Sequence, residues 1–183
     1  WARRRLLQGK ICCALLAAGL GRRLEPLTVR QLPKPLFPLG GKTPMIESWV
    51  RKMVDSGITR VSMNLCVLKQ AIKDHFQDGA SFGADITYVE EDVPSGTLGG
   101  VCKQILGKSA KVLPGELPLH NPPFNGETVI APSGDIITNF SSDMLEELYD
   151  IHKRVGAAMT MVLVPIPLDR RKDFGTAVLR SPL

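Results

Sequence analysis

Leu16-Ala17-Ala18-Gly19-Leu20-Gly21-Arg22-Arg23-Leu24-Glu25-Pro26-Leu27-Thr28, followed by Pro33-Lys34-Pro35, is the stretch on which the reading of this chain turns. An apolar run beginning at Ile11 leads into it, so a strand delivers the backbone into a glycine-bearing loop. Gly19 and Gly21 let backbone N–H groups approach an anion closely, while Arg22, Arg23 and Lys34 bring positive charge to it. Prolines on both sides of Lys34 restrict the backbone and with it the approach of that ammonium group. The segment reads as a loop that handles phosphate; the plainer alternative is a polar surface loop with basic residues placed by chance.

Outward from this loop, apolar strand-like runs alternate with helical patterns, which predicts an α/β domain with a largely parallel sheet covered by helices. Strands are expected over 11–18, 61–65, 86–89, 128–131 and 158–164. Helices are expected over about 44–56, 68–76, 97–106 and 143–155. In the first of these, Ile46, Trp49, Val50, Met53 and Val54 share one face, Pro44 suits the first turn and Gly57 the stop. In the third, Leu98, Val101, Cys102 and Ile105 are expected to face inward. Ser142 is expected to cap the last helix and Gly156 to end it. The stretch 113–125 holds four prolines and a glycine and reads as an irregular excursion.

The bulk properties narrow the classes. At 183 residues, with 44% hydrophobic and 22% charged residues, the chain is expected to form one globular domain with a substantial core. No apolar run approaches the roughly 18–20 residues of a membrane helix, and no signal-peptide pattern opens the chain. The net charge of +5 comes partly from Arg3-Arg4-Arg5, and residues 1–10 are read as a basic, solvated tail. A nucleic-acid patch is disfavoured because no nucleic-acid motif follows. Cys12, Cys13, Cys66 and Cys102 show no CxxC spacing and are read as reduced thiols of a cytoplasmic protein. His75, His120 and His152 form no zinc pattern. A start at Trp1 and a strand-like run broken off within 174–183 are read as marks of a fragment truncated at its C-terminus.

Three glycine-loop chemistries compete for the opening segment. Gly41-Lys42-Thr43 supplies the tail of a Walker A loop, but the required first glycine falls on Leu36 and Pro44 follows at once. A dinucleotide fingerprint fits Gly19 and Gly21, yet its third glycine falls on Leu24 and no acidic partner follows at the proper distance. A nicotinamide-dependent oxidoreductase is disfavoured accordingly. The remaining reading is a loop for the triphosphate of a nucleotide.

These residues resemble the signature of the sugar-1-phosphate nucleotidyltransferases, also called nucleotide-sugar pyrophosphorylases. The resemblance continues at Lys42 to Ile46, at Ser95-Gly96-Thr97-Leu98-Gly99-Gly100, at Ser133-Gly134-Asp135 and faintly at Phe174-Gly175. It implies a Rossmann-like three-layer nucleotidyltransferase fold over 11–183, incomplete because the sugar-binding half is largely missing. The implied reaction joins an NTP and a sugar-1-phosphate into an NDP-sugar and pyrophosphate. Arg23 and Lys34 are implied as catalytic phosphate clamps, and Asp135 as the holder of Mg²⁺. Nucleotide contacts are implied at Leu16, Ala18, Gly19, Gly21, Glu91 and Gly96, and a sugar contact at Gly175. A homo-oligomer is implied for the full-length protein.

Glu91 suggests a base. A carboxylate only accepts hydrogen bonds, and guanine offers adjacent N–H donors on its Watson–Crick edge, which leans toward GTP with mannose-1-phosphate. Glu90, Glu91 and Asp92 also read as a solvated acidic run. Arg22 and Leu98 depart from the family pattern, which usually carries a small hydroxyl residue and an alanine there. The alternative function is a catalytically silent relative that binds a nucleotide or nucleotide-sugar and regulates a partner. Retention of Arg23, Lys34 and Asp135 speaks against it.

Overall fold

The computed structural model describes residues 7–30, 32–106, 124 and 128–173. In chain order its elements are β1 (Ile11–Leu16), α1 (Leu27–Arg30), β2 (Pro38–Leu39), β3 (Thr43–Pro44), α2 (Met45–Asp55), β4 (Arg60–Leu65), α3 (Lys69–Phe76), β5 (Asp85–Glu90), α4 (Gly96–Leu106), β6 (Thr128–Ile130) and α5 (Ser142–Arg154). Short 3-10 turns interrupt the loops. Four strands form a sheet in the order β5-β4-β1-β6, every neighbouring pair parallel, while β2 and β3 make a small antiparallel ribbon. In the register, Cys13 lies opposite Val61 on one side and Ile130 on the other, and Leu16 lies opposite Asn64.

Residues 11–15 of β1 are buried at every position. Because side chains alternate across a strand, this means the sheet is covered on both faces, as a parallel α/β sheet requires. Cys12 and Ala14 pack with Phe124, Ile105 of α4 and Val129 on one face, and alternation sends Cys13 and Leu15 to the other. Cys13 acts as a small hydrophobe, and burial, helped by the neighbouring Cys12, pushes its thiol far up, so it stays protonated, whereas Cys12 Sγ accepts from the Arg60 guanidinium at 2.7 Å. β1 ends two residues earlier than expected. At Ala17 the backbone N–H leaves the ladder and donates to Asn64 Oδ1 at 2.9 Å.

Helix α2 forms as its pattern predicts, with Ile46, Trp49, Val50 and Met53 buried. It is tied to the chain after β6: Trp49 Nε1 donates to the Ile136 carbonyl at 2.9 Å and Lys52 Nζ to the Phe140 carbonyl at 3.0 Å. Three local expectations need correction. In α4, Leu98 is 73% exposed and the fully buried side chain is Gln104. Gly100 lies against Leu16 and Asn64, so the helix settles with Gly100 and Gln104 inward, and Leu98 falls about 200° away around the axis. The cap of α5 is Ser141, whose Oγ accepts the Met144 N–H at 3.3 Å, one residue before the expected Ser142. Residues 158–164 form no strand, and Met159, Met161, Val162, Leu163 and Val164 are exposed. A β-branched, apolar run becomes a strand only when its backbone groups find a ladder partner, and among the described residues this run has none.

The chain divides into two compact units, residues 1–147 and 148–183, with the boundary inside α5. The first contains the whole parallel sheet. The second contains the end of α5, which closes at Gly156, and a 3-10 segment at Leu168–Asp173; within it, His152 Nδ1 and Thr160 Oγ1 meet at 2.9 Å. Among the described residues no helix is long and apolar enough to cross a membrane.

Candidate active site

β1 has β4 on one side and β6 on the other, so the connections on its two sides leave in opposite senses and open a crevice at the C-terminal strand ends. A tight junction that extends the β1–β6 pairing borders it. Leu16 donates its N–H to the Pro132 carbonyl at 2.9 Å, and Gly134 returns one to the Leu16 carbonyl at 2.8 Å. A cavity of about 240 Å³ occupies this place. One wall is residues 16–19, from the last residue of β1 onward, and another is 94–97 at the start of α4. Ser133 and Asp135 after β6 face Lys34 and Pro35 from the opposite loop, and Asn64 closes the floor at the end of β4.

Each wall has a local cause. Gly21 adopts φ 64°, and a Cβ there would stand 2.8 Å from Thr28 Cγ2, so only glycine lets the loop fold back over Thr28. Thr28 is buried and its Oγ1 donates to the Gly21 carbonyl at 2.9 Å, which fixes that return. Lys34 opens a single 3-10 turn between buried Pro33 and Pro35, with Leu36 N–H on the Pro33 carbonyl at 2.9 Å. Its Nζ meets Asp135 Oδ2 at 2.5 Å, and the two side chains are each about one-third exposed. Gly96 and Thr97 are the first residues of α4, whose leading N–H groups have no intrahelical acceptors and favour an anion.

Leu16, Ala18, Gly19, Lys34, Gly96 and Asp135, expected from distant parts of the sequence, therefore meet around one cavity. Gly21 shapes the loop from behind the wall. Arg23 lies in the exposed 3-10 turn Arg22–Leu24 and does not line the cavity. Gly175 lies outside the described residues.

Glu91 is placed differently from the expectation. Its side chain is 0% exposed. Oε1 accepts Asn64 Nδ2 at 2.8 Å, while Oε2 accepts the Ser95 N–H at 2.8 Å, Ser95 Oγ at 2.6 Å and Lys103 Nζ at 3.3 Å. Burial pushes this carboxyl up, but the hydrogen bonds from Ser95, Asn64 and Lys103 outweigh it and hold the group below the usual glutamate range. With both oxygens taken inside the protein, Glu91 turns no acceptor toward a base, and the lean toward guanine drawn from it falls away. Asn64 is the residue the sequence reading missed. Its signal was a lone amide within the otherwise apolar end of Val61-Ser62-Met63-Asn64-Leu65, where a buried polar group needs a partner.

A family model described as Nucleotidyl transferase matches residues 13–181. The chain belongs to the nucleotidyl transferase family. Within the family, it is 27% identical over 157 residues to a mannose-1-phosphate guanylyltransferase of Mycobacterium tuberculosis, covering 86% of this chain and 38% of that protein. It is 30% identical over 128 residues to an N-acetylmuramate alpha-1-phosphate uridylyltransferase of Neisseria meningitidis, covering 68% of this chain and 47% of that protein. The chain thus spans less than half the length of these relatives. Among solved structures, a UDP-glucose pyrophosphorylase from Acinetobacter baumanii superposes with a TM-score of 0.57 at 17% identity, over 80% of this chain and 53% of that one. The α/β fold of the nucleotidyl transferases, with its parallel sheet, is therefore the fold of this chain.

Proposed function

We propose that this chain carries the nucleotide half of a sugar-1-phosphate nucleotidyltransferase, which joins an NTP to a sugar-1-phosphate and releases pyrophosphate. The observation that carries the reading is the meeting of Lys34 and Asp135 at 2.5 Å, between the glycine loop and the start of α4. An ammonium, a carboxylate and two sets of backbone donors around one cavity form a phosphate site with a place for a cation. At 240 Å³ the cavity is smaller than the roughly 300–1,000 Å³ of typical small-molecule pockets, so a nucleoside triphosphate would extend beyond it into the open crevice.

The donor set fits Mg²⁺. Among the described residues no group of three or more His, Cys, Asp or Glu gathers into a metal cage, and Asp135 is the acid that lines the cavity. Mg²⁺ characteristically takes one or two carboxylates and completes its shell with water and substrate phosphates. Bound there, it would supply neutralisation of phosphate charge and orientation of the α-phosphate. The chain's own residues do the rest. The loop 16–19 and the first turn of α4 offer N–H groups to the phosphate oxygens. Lys34 turns from Asp135 to the phosphate as negative charge accumulates on it. The sugar phosphate oxygen then bonds to the α-phosphorus in line as the bond to pyrophosphate breaks, with no protein nucleophile required.

Base and sugar are a finer matter. GTP with mannose-1-phosphate is supported by the mycobacterial relative's name, while the neisserial relative's name carries a uridylyl group. Titrating the chain with GTP, UTP, dTTP and ATP in the presence of Mg²⁺, then assaying pyrophosphate release with sugar-1-phosphates in the full-length protein, tests the whole reading. Binding of one nucleotide with release of pyrophosphate supports it. Binding without release in the full-length protein replaces it with the silent regulatory relative, and no binding overturns it.

A further inference from the structure

Ala17, Asn64, Glu91 and Ser95 form an unbroken chain of hydrogen bonds through the protein interior, and its two ends are opposite walls of the cavity. Asn64 Oδ1 accepts the Ala17 N–H at 2.9 Å, and Asn64 Nδ2 donates to Glu91 Oε1 at 2.8 Å. Glu91 Oε2 then receives both the backbone N–H and the hydroxyl of Ser95. Ala17 belongs to the glycine loop and Ser95 to the turn that starts α4. Asn64 is 3% and Glu91 2% exposed, so the two central bonds are shielded from water, while Ser95 at the far end is exposed. Even the passage is fitted: a Cβ on Gly100 of α4 would stand 2.6 Å from Asn64 Nδ2.

We infer that Asn64 and Glu91 are positioning residues, a strut that fixes the separation of the glycine loop and the 94–97 turn so that both present donors to one nucleotide. The inference rests on the nucleotide reading of the cavity. Its chemistry is specific in direction. Every group facing Glu91 is a donor, and both carboxylate oxygens are used, so an amide cannot replace it. A glutamine has one acceptor oxygen; whichever way it turns, its NH₂ meets either Asn64 Nδ2 or the Ser95 N–H. Asn64 in turn must accept from Ala17 and donate to Glu91, which neither aspartate nor leucine can do. Reversing both residues restores the chain. In Asn64→Asp/Glu91→Gln, the new carboxylate accepts from Ala17 with one oxygen and from the new amide with the other, while that amide's oxygen still accepts from Ser95.

The test uses the whole chain and reads three things: melting temperature, affinity for GTP, UTP, dTTP and ATP with Mg²⁺ by calorimetry, and amide exchange at Ala17 and Ser95. Glu91→Gln and Asn64→Asp are each expected to weaken the best-bound nucleotide about ten-fold or more. Exchange at Ala17 should accelerate in Glu91→Gln, although residue 91 does not touch Ala17. In the double variant, exchange at Ala17 is expected to return to within about three-fold of wild type, and affinity to exceed that of Asn64→Asp, which places the same carboxylate at the cavity. Lys103→Met removes a partner of Glu91 from outside the cavity and serves if a single variant fails to fold; a loss of a few-fold in affinity is expected. Singles that bind as wild type does, or a double variant that binds no better than Asn64→Asp, overturn the strut. If the wild type binds none of the four nucleotides, the nucleotide reading falls. Exchange at Ala17 then decides the coupling alone: acceleration in Glu91→Gln upholds it and unchanged exchange overturns it.

Discussion

Lys34 and Asp135 stand 101 residues apart in sequence and meet at 2.5 Å at the cavity. Each is about one-third exposed, so solvent screens the pair and its part in stability is small, of the order of 0–1 kcal/mol. Under the proposed function the pair serves the phosphate site rather than stability, and this separates two measurable effects. Lys34→Ala is expected to leave the urea midpoint nearly unchanged and to lower turnover of the full-length protein about 10²–10³-fold, the scale for one lost transition-state donor. Arg23 sits in an exposed turn away from the cavity wall, so Arg23→Ala assayed alongside should show a smaller loss. Equal losses in the two variants would place Arg23 at the reacting phosphate after all.

Gly19 and Gly21 belong to one motif but answer to different constraints. At Gly21 the left-handed φ and the 2.8 Å approach to Thr28 Cγ2 act on the folded state, so Gly21→Ala should destabilise the chain by about 1–2 kcal/mol. At Gly19 a Cβ would meet nothing within 4 Å, yet the residue lines the cavity. Gly19→Ala should therefore unfold within about 0.5 kcal/mol of wild type while weakening nucleotide binding. Denaturation and calorimetry on the two variants separate these effects, and a stability loss at Gly19 equal to that at Gly21 would contradict the assignment.

What the sequence disclosed follows from the range of the forces involved. The parallel sheet was legible because Ile11–Leu16, Arg60–Leu65 and Asp85–Glu90 carry their apolar or β-branched patterns locally. Lys34 and Asp135, which the structure brings together at the cavity, could be singled out in the sequence because each sits in a short motif with its own turn. Glu91 was misread: Ser95, four residues on, is a local partner, but the remaining neighbours that draw this carboxylate inward lie farther along the chain. Asn64 at 27 positions' distance and Lys103 on α4 claim it, and no local pattern announces them. The face of α4 was misread for a related reason. Apolar spacing put Leu98 inward, but close approach at Gly100 set the rotation of the helix.

Hydrogen bonds hold the Glu91 carboxyl below the usual range against the upward push of burial, and this fixes the sign of a pH effect. A depressed pKa means that the charged form is favoured by folding. Its stabilisation is complete above the ordinary glutamate pKa, about 4.3, and is lost as the pH falls through the depressed value. The difference in melting temperature between wild type and Glu91→Gln should be flat near neutrality and shrink on the acid side, below about pH 4. Glu90, held low by Lys73, is present in both proteins and cancels in the difference. A difference that grows toward acid would reverse the sign of the Glu91 interaction.

Asp135 is held from two sides, and the second can be loosened alone. On the sheet side, Gly134 donates to the Leu16 carbonyl; on the helix side, Trp49 Nε1 donates to the carbonyl of Ile136, next to Asp135. Trp49 is only 7% exposed, so Trp49→Phe keeps most of the packing while leaving that carbonyl without its indole donor. The expected loss is about 0.5–1.5 kcal/mol from the hydrogen bond, with some further loss from the smaller ring. Because the sheet-side bond remains, Asp135 should stay near the cavity, and Mg²⁺-dependent nucleotide affinity should fall only a few-fold. Urea denaturation and calorimetry on Trp49→Phe measure both. A large loss of affinity without loss of stability would mean that the indole, rather than the sheet, sets where the carboxylate points.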